Sequence, residues 1–310
     1  MLKRLVTWLS TDVRQLKLRG SWAGWIGRNW AHWTYAVRVE PTWLELNLHE
    51  VPIADLHPTF SGLRIVQMSD FHCGHRVSPA YLGEAVDLAQ AQNPDVVVLT
   101  GDFIHKGFEH VEAVARVLGR LTAPHGVFAV LGNHDFSVRN ALGIRRYRHL
   151  HQAVAAALAG RGIRVLRNET VTLAQSGGRL HLTGVEDLWS RVCDLDRAFH
   201  GLCATVPRVV LAHNPTTIEM LAGRRCDLML SGHTHGGQVN LPVVGPVGLG
   251  PKARRYAAGF FQRDKSILYV NKGVGFGLRL RYRVRPEVAV FVLRAGPASA
   301  GAAGSLALPS

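Results

Sequence analysis

The alternation of apolar and polar positions changes character along the chain, and each change predicts a different kind of element. Between Thr42 and His49, leucine alternates with polar residues, which predicts a strand with one buried face. From residue 62 onward, continuous apolar runs alternate with stretches of helical periodicity. These stretches predict strands at 63–68, 95–99 and 126–131, with helices at 79–92 and 110–121 between them. A strand–helix–strand–helix–strand order implies parallel strands joined by right-handed crossovers.

The second half of the chain consists of shorter predicted strands, which follow a helix at about 147–159. Strands are predicted at 164–166, 170–174, 180–183, 208–212, 227–230, 266–270 and 287–293. A helix ending at Leu221 is predicted to open with Asn214 as its N-cap and Pro215 as its first residue. The pattern as a whole predicts an α/β (α+β) chain that begins a second sheet after the first. Residues 295–310 are rich in Ala, Gly and Ser, so we expect a disordered tail.

The first 40 residues have a composition of their own. Apolar residues at helical spacing between Leu2 and Leu16 predict an amphipathic helix. Six of the seven tryptophans lie in the first 43 residues, and residues 1–38 carry seven Lys or Arg against one acid, Asp12. A basic segment rich in tryptophan is typical of binding to an anionic membrane surface, and we predict this role for residues 1–38. The alternative is a helical hairpin that packs on the following domain or on a second copy of the chain.

Net charge and composition narrow the class of protein. The charge of +14 indicates an anionic partner: nucleic acid, a lipid surface or a phosphorylated substrate. No run of 18 apolar residues occurs, so we expect no ordinary membrane-spanning helix, and the N-terminus does not resemble a secretory signal. Four cysteines without a Cys-x-x-Cys pair indicate reduced thiols. We therefore expect a cytoplasmic protein, bound peripherally to the inner face of the cell membrane.

Polar side chains with metal-binding chemistry follow five of the predicted strands. They are Asp70, His72, Asp102, Asn133, His213, His233 and His235. Because ligands gather outside the carboxyl ends of parallel strands, we expect these side chains to converge although they lie far apart in the sequence. Seven side chains are too many for one tetrahedral ion, and with one bridging carboxylate they supply two divalent ions. Mixed carboxylate, amide and imidazole ligation suits Mn, Fe or Zn.

The motifs Asp-x-His, Gly-Asp, Gly-Asn-His-Asp, a lone His and Gly-His-x-His, in this order, resemble the calcineurin-like metallophosphoesterase family. The resemblance covers residues 63–238 and, with the closing strands, most of the chain after residue 60. The fold of that family is a two-sheet β-sandwich flanked by helices. The resemblance therefore implies this fold for residues 41–294.

The resemblance also implies roles for individual residues. One ion would be held by Asp70, His72, Asp102 and His235, and the other by Asp102, Asn133, His213 and His233. His134 would act on the phosphoryl group or the leaving oxygen, while Asp135 would either orient the imidazole of His134 or cap the following turn. The implied reaction is attack on phosphorus by a hydroxide held between two divalent ions.

Further motifs resemble a bacterial phosphodiesterase subgroup that carries a membrane-associating N-terminal segment and includes UDP-2,3-diacylglucosamine pyrophosphatase-type enzymes. These motifs are residues 232–238, Leu241-Pro242, residues 184–187 and Arg285-Pro286-Glu287. Asn271-Lys272-Gly273 departs from the Ser-Arg-Gly that is usual there, which affects substrate contacts. The resemblance implies a phosphodiester or nucleotide-lipid substrate. A metal-dependent nuclease, a cyclic-nucleotide phosphodiesterase and a non-catalytic scaffold are the alternatives, but a nucleic-acid partner gives no reason for the N-terminal tryptophans.

Two groups of residues outside these motifs also bear on function. Arg279, Arg281 and Arg283 alternate with other residues and in a strand would share one face, which predicts a surface for phosphates or lipid headgroups. A solvated edge strand protected by its charge is the alternative. Three histidines near the predicted centre are more typical of loop residues than of ligands; they are His75, His105 and His110.

Overall fold

Two six-stranded sheets form a sandwich in the computed structural model, which describes residues 29–140 and 142–296. The first sheet contains, in spatial order, β1 (Glu45–Ala54), β14 (Glu287–Gly296), β2 (Arg64–Met68), β3 (Val96–Thr100), β4 (Val127–Val130) and β5 (Ile163–Val165). The second contains β12 (Gly259–Arg263), β13 (Ser266–Val270), β9 (Leu228–Ser231), β8 (Arg208–Leu211), β7 (Gly178–Gly184) and β6 (Glu169–Gln175). A separate hairpin pairs β10 (Val239–Leu241) with β11 (Gly245–Val247).

Helices cover the outer faces of both sheets. They are α1 (Pro79–Gln90), α2 (Val111–Leu118), α3 (Leu150–Ala159), α4 (Leu195–Phe199) and α5 (Pro251–Arg254). Short 3₁₀ helices lie at Glu40–Thr42, Pro58–Phe60, Pro215–Met220 and His235–Gly237. Helix α1 begins where the sequence signals it, because the Ser78 side chain accepts the Tyr81 N–H and Pro79 occupies the first helical position.

The continuous apolar run of β3 shows how the sandwich buries its core. Every residue of the strand is buried. Because side chains alternate across a strand, Val97 and Leu99 pack with the helices on one face, while Val96 and Val98 pack against the second sheet on the other. A strand buried on both faces is therefore apolar throughout, as in other parallel sheets covered on both sides.

The parallel strands of the two sheets position the functional side chains. Strands β2, β3, β4 and β5 run parallel to one another, as do β7, β8, β9 and β13. Strand β14 pairs antiparallel with β2 and parallel with β1. The predicted α/β fold with two sheets flanked by helices is confirmed.

The predicted helix after Asn214 is confirmed: it is a 3₁₀ helix, Pro215–Met220, with Asn214 as its N-cap and Pro215 at its first position. Strand β12 was not predicted, and the end predicted for β14 is wrong. Strand β14 runs to Gly296, because it pairs with β1 up to Ala54, so the predicted tail does not begin at residue 295. The rest of that tail, residues 297–310, lies outside the described part of the chain.

Residues 279–283 were predicted to form a strand with its three arginines on one face, but they do not form a strand. Arg279 and Arg283 are exposed, whereas Arg281 is fully buried. The reason is a long-range contact: the Arg281 N–H donates to the Ala36 carbonyl at 2.9 Å, which holds the segment against the N-terminal residues.

The described end of the N-terminal segment packs on this domain. Residues 29–34 are helical and continue into a π-helical turn, Tyr35–Val39. The buried carboxylate of Glu40 accepts the Val284 N–H at 2.5 Å. Trp30 and Trp33 nevertheless remain 71% and 59% exposed. The predicted amphipathic stripe between Leu2 and Leu16 lies outside the described residues.

Across residues 29–140 and 142–296, no helix has both the length and the apolar character that crossing a bilayer requires.

Candidate metal centre

All seven predicted ligands meet at one end of the sandwich, where the strands of both sheets end. Asp70 and His72 follow β2, Asp102 follows β3, Asn133 follows β4, His213 follows β8, and His233 and His235 follow β9. The contacts between the two sheets thus close the centre, because neither sheet contains the whole set. The side chains form two adjoining clusters.

The first cluster consists of Asp70, His72 and His235, whose ligating atoms lie within 4.8 Å of one another. The Nε2 atoms of His72 and His235 face each other at 2.8 Å. Asp70 Oδ1 lies 3.3 Å from His235 Nε2. Two imidazole nitrogens and a carboxylate oxygen directed at one point are a ligand set for a divalent ion.

The second cluster consists of Asn133, His213 and His233. Asn133 Oδ1 lies 3.2 Å from His213 Nε2 and 2.9 Å from His233 Nδ1. Its amide nitrogen donates to the Val138 carbonyl at 2.7 Å, so the oxygen must face the histidines. His213 Nδ1 faces the Thr100 carbonyl at 2.7 Å and therefore carries the proton, which leaves Nε2 as the ligating atom.

Asp102 lies between the two clusters. Its Oδ2 is 3.6 Å from His72 Nε2 in the first cluster and 3.3 Å from His213 Nε2 in the second. Its Oδ1 accepts the backbone N–H of His134 at 2.8 Å, which fixes the plane of the carboxylate. The position is that of a bridging ligand.

Burial and the contacts between histidines and carboxylates determine which side chains of the centre are charged. Burial, helped by neighbouring positive charge, holds the pKa of the His72 and His235 imidazoles well below the usual value, in the neutral form that metals bind. Burial alone would raise the pKa of Asp102, but His213, His134 and His72 together outweigh it and hold that pKa well below its usual range. Asp102 in turn raises the pKa of His213, against the effect of burial. An anionic carboxylate is therefore buried where a cation would be stabilised.

The backbone of the centre is strained at the ligands. Asp70, His72, Asp102, His233 and His235 all have positive φ, between 45° and 76°. Residues other than glycine adopt this conformation rarely, and its cost is about 1–3 kcal/mol each when the surrounding structure enforces it. Five such residues around one point indicate that these loops place their side chains at the expense of a low-energy backbone conformation.

Two glycines of the motifs are required by close approach. A Cβ on Gly132 would overlap the carboxylate of Asp102, and one on Gly232 would overlap Ser69 Oγ and the carboxylate of Asp70. The glycines that precede the Asn-His and His-x-His motifs thus leave room for the carboxylates of neighbouring strands.

His134 lies beside the first cluster, with its ring 4.6 Å from that of His72. Its Nδ1 is 2.8 Å from the His105 carbonyl, and because a carbonyl only accepts, Nδ1 carries a proton. This leaves Nε2 to face a substrate.

Asp135 does not orient this imidazole, so the first of its two predicted roles is wrong. Its carboxylate accepts the backbone N–H groups of Asp102, Phe103 and Gly132 at 2.8–3.0 Å, with that of Ile104 at 3.4 Å. Asp135 therefore fastens the loop after β3 to the loop after β4, and so holds Asp102 in place. It is a positioning residue.

Arg281 belongs to the centre but was predicted to lie on a charged surface. Its guanidinium donates to the carbonyls of Lys272, Gly273, Gly275 and Val284 at 2.6–3.1 Å, and Nη2 lies 3.5 Å from His235 Nδ1. Burial lowers the pKa of Arg281 to about 10, so it stays charged at neutral pH. The sequence pattern did not indicate that Arg281 is buried, because the carbonyls that accept its hydrogen bonds lie in a loop without regular structure.

Asp187 and Trp189, on the loop after β7, cover the second cluster. The Trp189 ring meets the His233 ring edge to face, at 4.5 Å between centroids. Asp187 is buried, and burial raises its pKa to about 7. The Gly-Val-Glu-Asp motif marked this loop, but only the fold shows that it reaches the centre.

Exposed cationic side chains lie beside His105 and His134, on a surface that we name the entrance. Arg139 Nη2 lies 3.4 Å from the same His105 carbonyl that His134 contacts. Burial and the positive charges of His134, Arg139, Arg76 and Lys106 lower the pKa of His105 to about 4. Arg76, Lys106 and Arg139 are exposed, so this surface is positively charged.

Comparison with the sequences of known proteins identifies the family of this chain. The profile of the family described as calcineurin-like phosphoesterase matches residues 63–237. Phosphodiesterase YaeI of Escherichia coli (strain K12) is 34% identical over 255 residues, which cover 82% of this chain and 90% of that protein. The metallophosphoesterase YkuE of Bacillus subtilis (strain 168) is 31% identical, over 84% of this chain and 89% of its own length. UDP-2,3-diacylglucosamine pyrophosphatase LpxG of Chlamydia trachomatis serovar D is 28% identical, over 83% and 91%. With the motifs in order and their side chains gathered at one end of the sandwich, the chain belongs to the calcineurin-like phosphoesterase family of metal-dependent phosphoester hydrolases.

Proposed function

We propose that this protein is a phosphodiesterase or pyrophosphatase that uses two divalent ions to hydrolyse a P–O bond in a membrane-associated substrate. The observation that carries the proposal is the pair of clusters that share Asp102 Oδ2. One ion would be held by Asp70, His72, Asp102 and His235, and the other by Asp102, Asn133, His213 and His233. Manganese, iron and zinc all suit these ligands.

Ions bound there supply positive charge for the phosphoryl oxygens and lower the pKa of a bound water. The chain itself contributes the positioning. Asp102 is held by the His134 N–H, Asn133 by the Val138 carbonyl and His213 by the Thr100 carbonyl. Each ligand is thus oriented before an ion or a substrate arrives, which lowers the cost of organising the site.

His134 is the residue that acts on the leaving group in this proposal. With Nδ1–H donating to the His105 carbonyl, the doubly protonated ring gives its Nε2 proton to the leaving oxygen as the P–O bond breaks, and the ring left neutral is protonated again from solvent. General acid catalysis of this kind contributes about 10²–10⁴-fold.

A substrate with more than one anionic group fits the entrance. A monoester or simple diester presents one phosphate, whereas a pyrophosphate presents a second, which Arg139, Arg76 and Lys106 are placed to attract. The chlamydial relative is named as a UDP-2,3-diacylglucosamine pyrophosphatase. We propose that the substrate of this chain is also a nucleotide-lipid or a related phosphodiester.

The exposed tryptophans support a substrate in the membrane. Trp30 and Trp33 lie on the described end of the basic N-terminal segment. That segment contacts Arg281 through the Ala36 carbonyl, and Arg281 contacts His235. We propose that residues 1–38 hold the domain, and with it the centre, against the cytoplasmic face of the membrane.

A substrate panel tests the proposal. Protein loaded with manganese is given bis(p-nitrophenyl) phosphate, p-nitrophenyl phosphate, UDP-2,3-diacylglucosamine in mixed micelles, and single-stranded DNA. We expect hydrolysis of the diester and the UDP-lipid, with the monoester at least tenfold slower. Activity on the monoester alone would contradict the proposal, and cleavage of DNA without the lipid would identify a nuclease instead.

The entrance arginine is tested in the same assay. Arg139→Ala should raise KM for the UDP-lipid about tenfold, the loss of one charge-assisted contact, and change KM for bis(p-nitrophenyl) phosphate much less. Arg263→Ala, a change on β12 in the second sheet, is the control. If Arg139→Ala changed KM equally for the UDP-lipid and for bis(p-nitrophenyl) phosphate, Arg139 would not bind a second phosphate.

A further inference from the structure

We propose that His75, Glu109 and His110 form a third metal site, separate from the two clusters of the centre, that binds a zinc-like divalent ion. Their ligating atoms lie within 4.8 Å of one another. Glu109 Oε2 is 3.5 Å from His75 Nε2 and 3.9 Å from His110 Nε2. Zinc bonds of about 2.0–2.1 Å at tetrahedral angles place ligand atoms about 3.4 Å apart. Small side-chain rotations therefore suffice to close the site.

The two imidazoles are arranged to share an ion. Their ring centroids are 5.0 Å apart at an interplanar angle of 88°, and both Nε2 atoms face the same carboxylate oxygen. His110 Nε2 is buried without a hydrogen-bond partner, although the side chain as a whole is 20% exposed. A buried ring nitrogen without a partner costs free energy, and an ion would satisfy it.

The backbone beneath the cluster is held by pairing. The Cys73 N–H donates to the Phe103 carbonyl at 3.0 Å, and the His105 N–H donates to the Cys73 carbonyl at 3.1 Å. These bonds join the loop that carries His75 to the segment that leads to His110 and α2. The two segments are thus held side by side close to the cluster.

The ligand set selects the class of ion. Two imidazoles and one carboxylate suit zinc and similar transition metals, whereas magnesium and calcium prefer oxygen ligands throughout. His75 and Glu109 are 78% and 67% exposed, so an ion can enter from solvent and keep an open position. Once bound, it would link the loop after β2, which carries His72, to the segment before α2, and so stiffen one wall of the centre.

A count of bound zinc tests the site. Full-length protein is equilibrated with excess zinc, desalted, and analysed for zinc and protein by emission spectrometry. We expect His75→Ala/His110→Ala to bind one ion fewer than the unmodified protein. Glu109→Gln should bind that ion at least tenfold more weakly, since one charged ligand is replaced by an amide. His200→Ala, which removes an exposed histidine outside these clusters, should bind the full number.

The comparison depends on a difference of one ion, so it does not depend on how many ions the centre itself holds. Circular dichroism and the urea midpoint establish that each variant is folded, which the exposure of the changed side chains favours. Equal zinc in the double variant and the unmodified protein would overturn the proposal. So would a loss of zinc in His200→Ala as large as that in the double variant.

Discussion

The carboxylate oxygen Oδ2 of Asp102 faces both clusters, at 3.6 Å from His72 Nε2 and 3.3 Å from His213 Nε2. If the proposed assignment is right, Asp102→Asn removes one negative charge from two coordination spheres at once. The amide can keep the hydrogen bond from the His134 N–H, so the fold should survive while metal affinity falls. We expect at least a 100-fold loss of metal affinity and of kcat/KM, about 2.7 kcal/mol.

Metal titration and activity of the same sample measure this effect. Asp95→Asn is the matched control: Asp95 also flanks β3 and also accepts a backbone N–H, from Arg64, but it precedes the strand, whereas Asp102 follows it. Unchanged metal affinity in Asp102→Asn would show that Asp102 does not bridge.

His134 should behave in the opposite way. His134→Gln removes the proton donor but leaves every proposed ligand in place, so kcat should fall about 10²–10⁴-fold while the number of bound ions stays the same. The loss should be smaller for a substrate with a good leaving group, p-nitrophenolate, than for one with an alkoxide leaving group. Loss of metal in this variant, or an equal loss of kcat on both substrates, would mean that His134 is structural.

Single residues also show what sequence alone can establish. Motif order was enough to predict that the seven side chains meet at one end of the sandwich, because each motif lies directly after an apolar strand. It could not show that five of them adopt positive φ, or that Asp135 binds backbone N–H groups instead of the imidazole next to it. Those features depend on how the ends of neighbouring strands approach each other, which local pattern does not encode.

At the scale of elements, the loop after β13 depends on one buried arginine. Arg281→Met would leave the carbonyls of Lys272, Gly273 and Gly275 without their donor, and each unsatisfied buried group costs about 1–3 kcal/mol. We expect the free energy of unfolding to fall by about 3 kcal/mol or more. Activity at saturating metal should fall too, since the Gly275 N–H holds the Asp70 carbonyl at 2.8 Å.

Urea unfolding of the metal-free protein measures the change. Arg279→Met is the control, because Arg279 is exposed and its guanidinium donates to a single carbonyl, that of Val37, among the described residues. Equal destabilisation by the two variants would mean that the burial of Arg281 has no special role. The same pair explains why a strand was wrongly predicted here: alternation of arginines is a local signal, but Ala36, more than 240 residues earlier, decides the conformation.

At the scale of the molecule, the sequence predicted the fold because its strongest signals are those that periodicity reports. Continuous apolar runs identified strands buried on both faces, and helical stretches between them implied parallel order. Strand β14 lies inside the first sheet and ends later than predicted because it pairs with β1 up to Ala54. Strand β12, which was missed, lies at one edge of the second sheet. Edge strands carry mixed side chains, so their pattern is less distinct.

The last prediction concerns how the molecule meets a surface. An apolar indole withdrawn from water contributes about 1.5–3 kcal/mol, and the net charge of +14 adds attraction to anionic lipid. Trp30→Ala/Trp33→Ala should therefore weaken binding to phosphatidylglycerol vesicles at least tenfold. A deletion up to residue 40 is a poorer test, because it removes the buried Glu40 and with it the bond to Val284.

Co-sedimentation with vesicles measures the partition. Val192→Ala/Met220→Ala, a pair of partly exposed apolar side chains elsewhere on the domain, should bind as the unmodified protein does. Raising the salt concentration from 0.1 to 0.5 M should weaken binding of every variant, since it screens the basic residues and leaves the indoles unaffected. If the tryptophan variant sediments normally at both salt concentrations, the exposed rings serve another partner. If it loses binding while hydrolysing bis(p-nitrophenyl) phosphate at the normal rate, the N-terminal segment delivers the centre to its substrate without taking part in the chemistry.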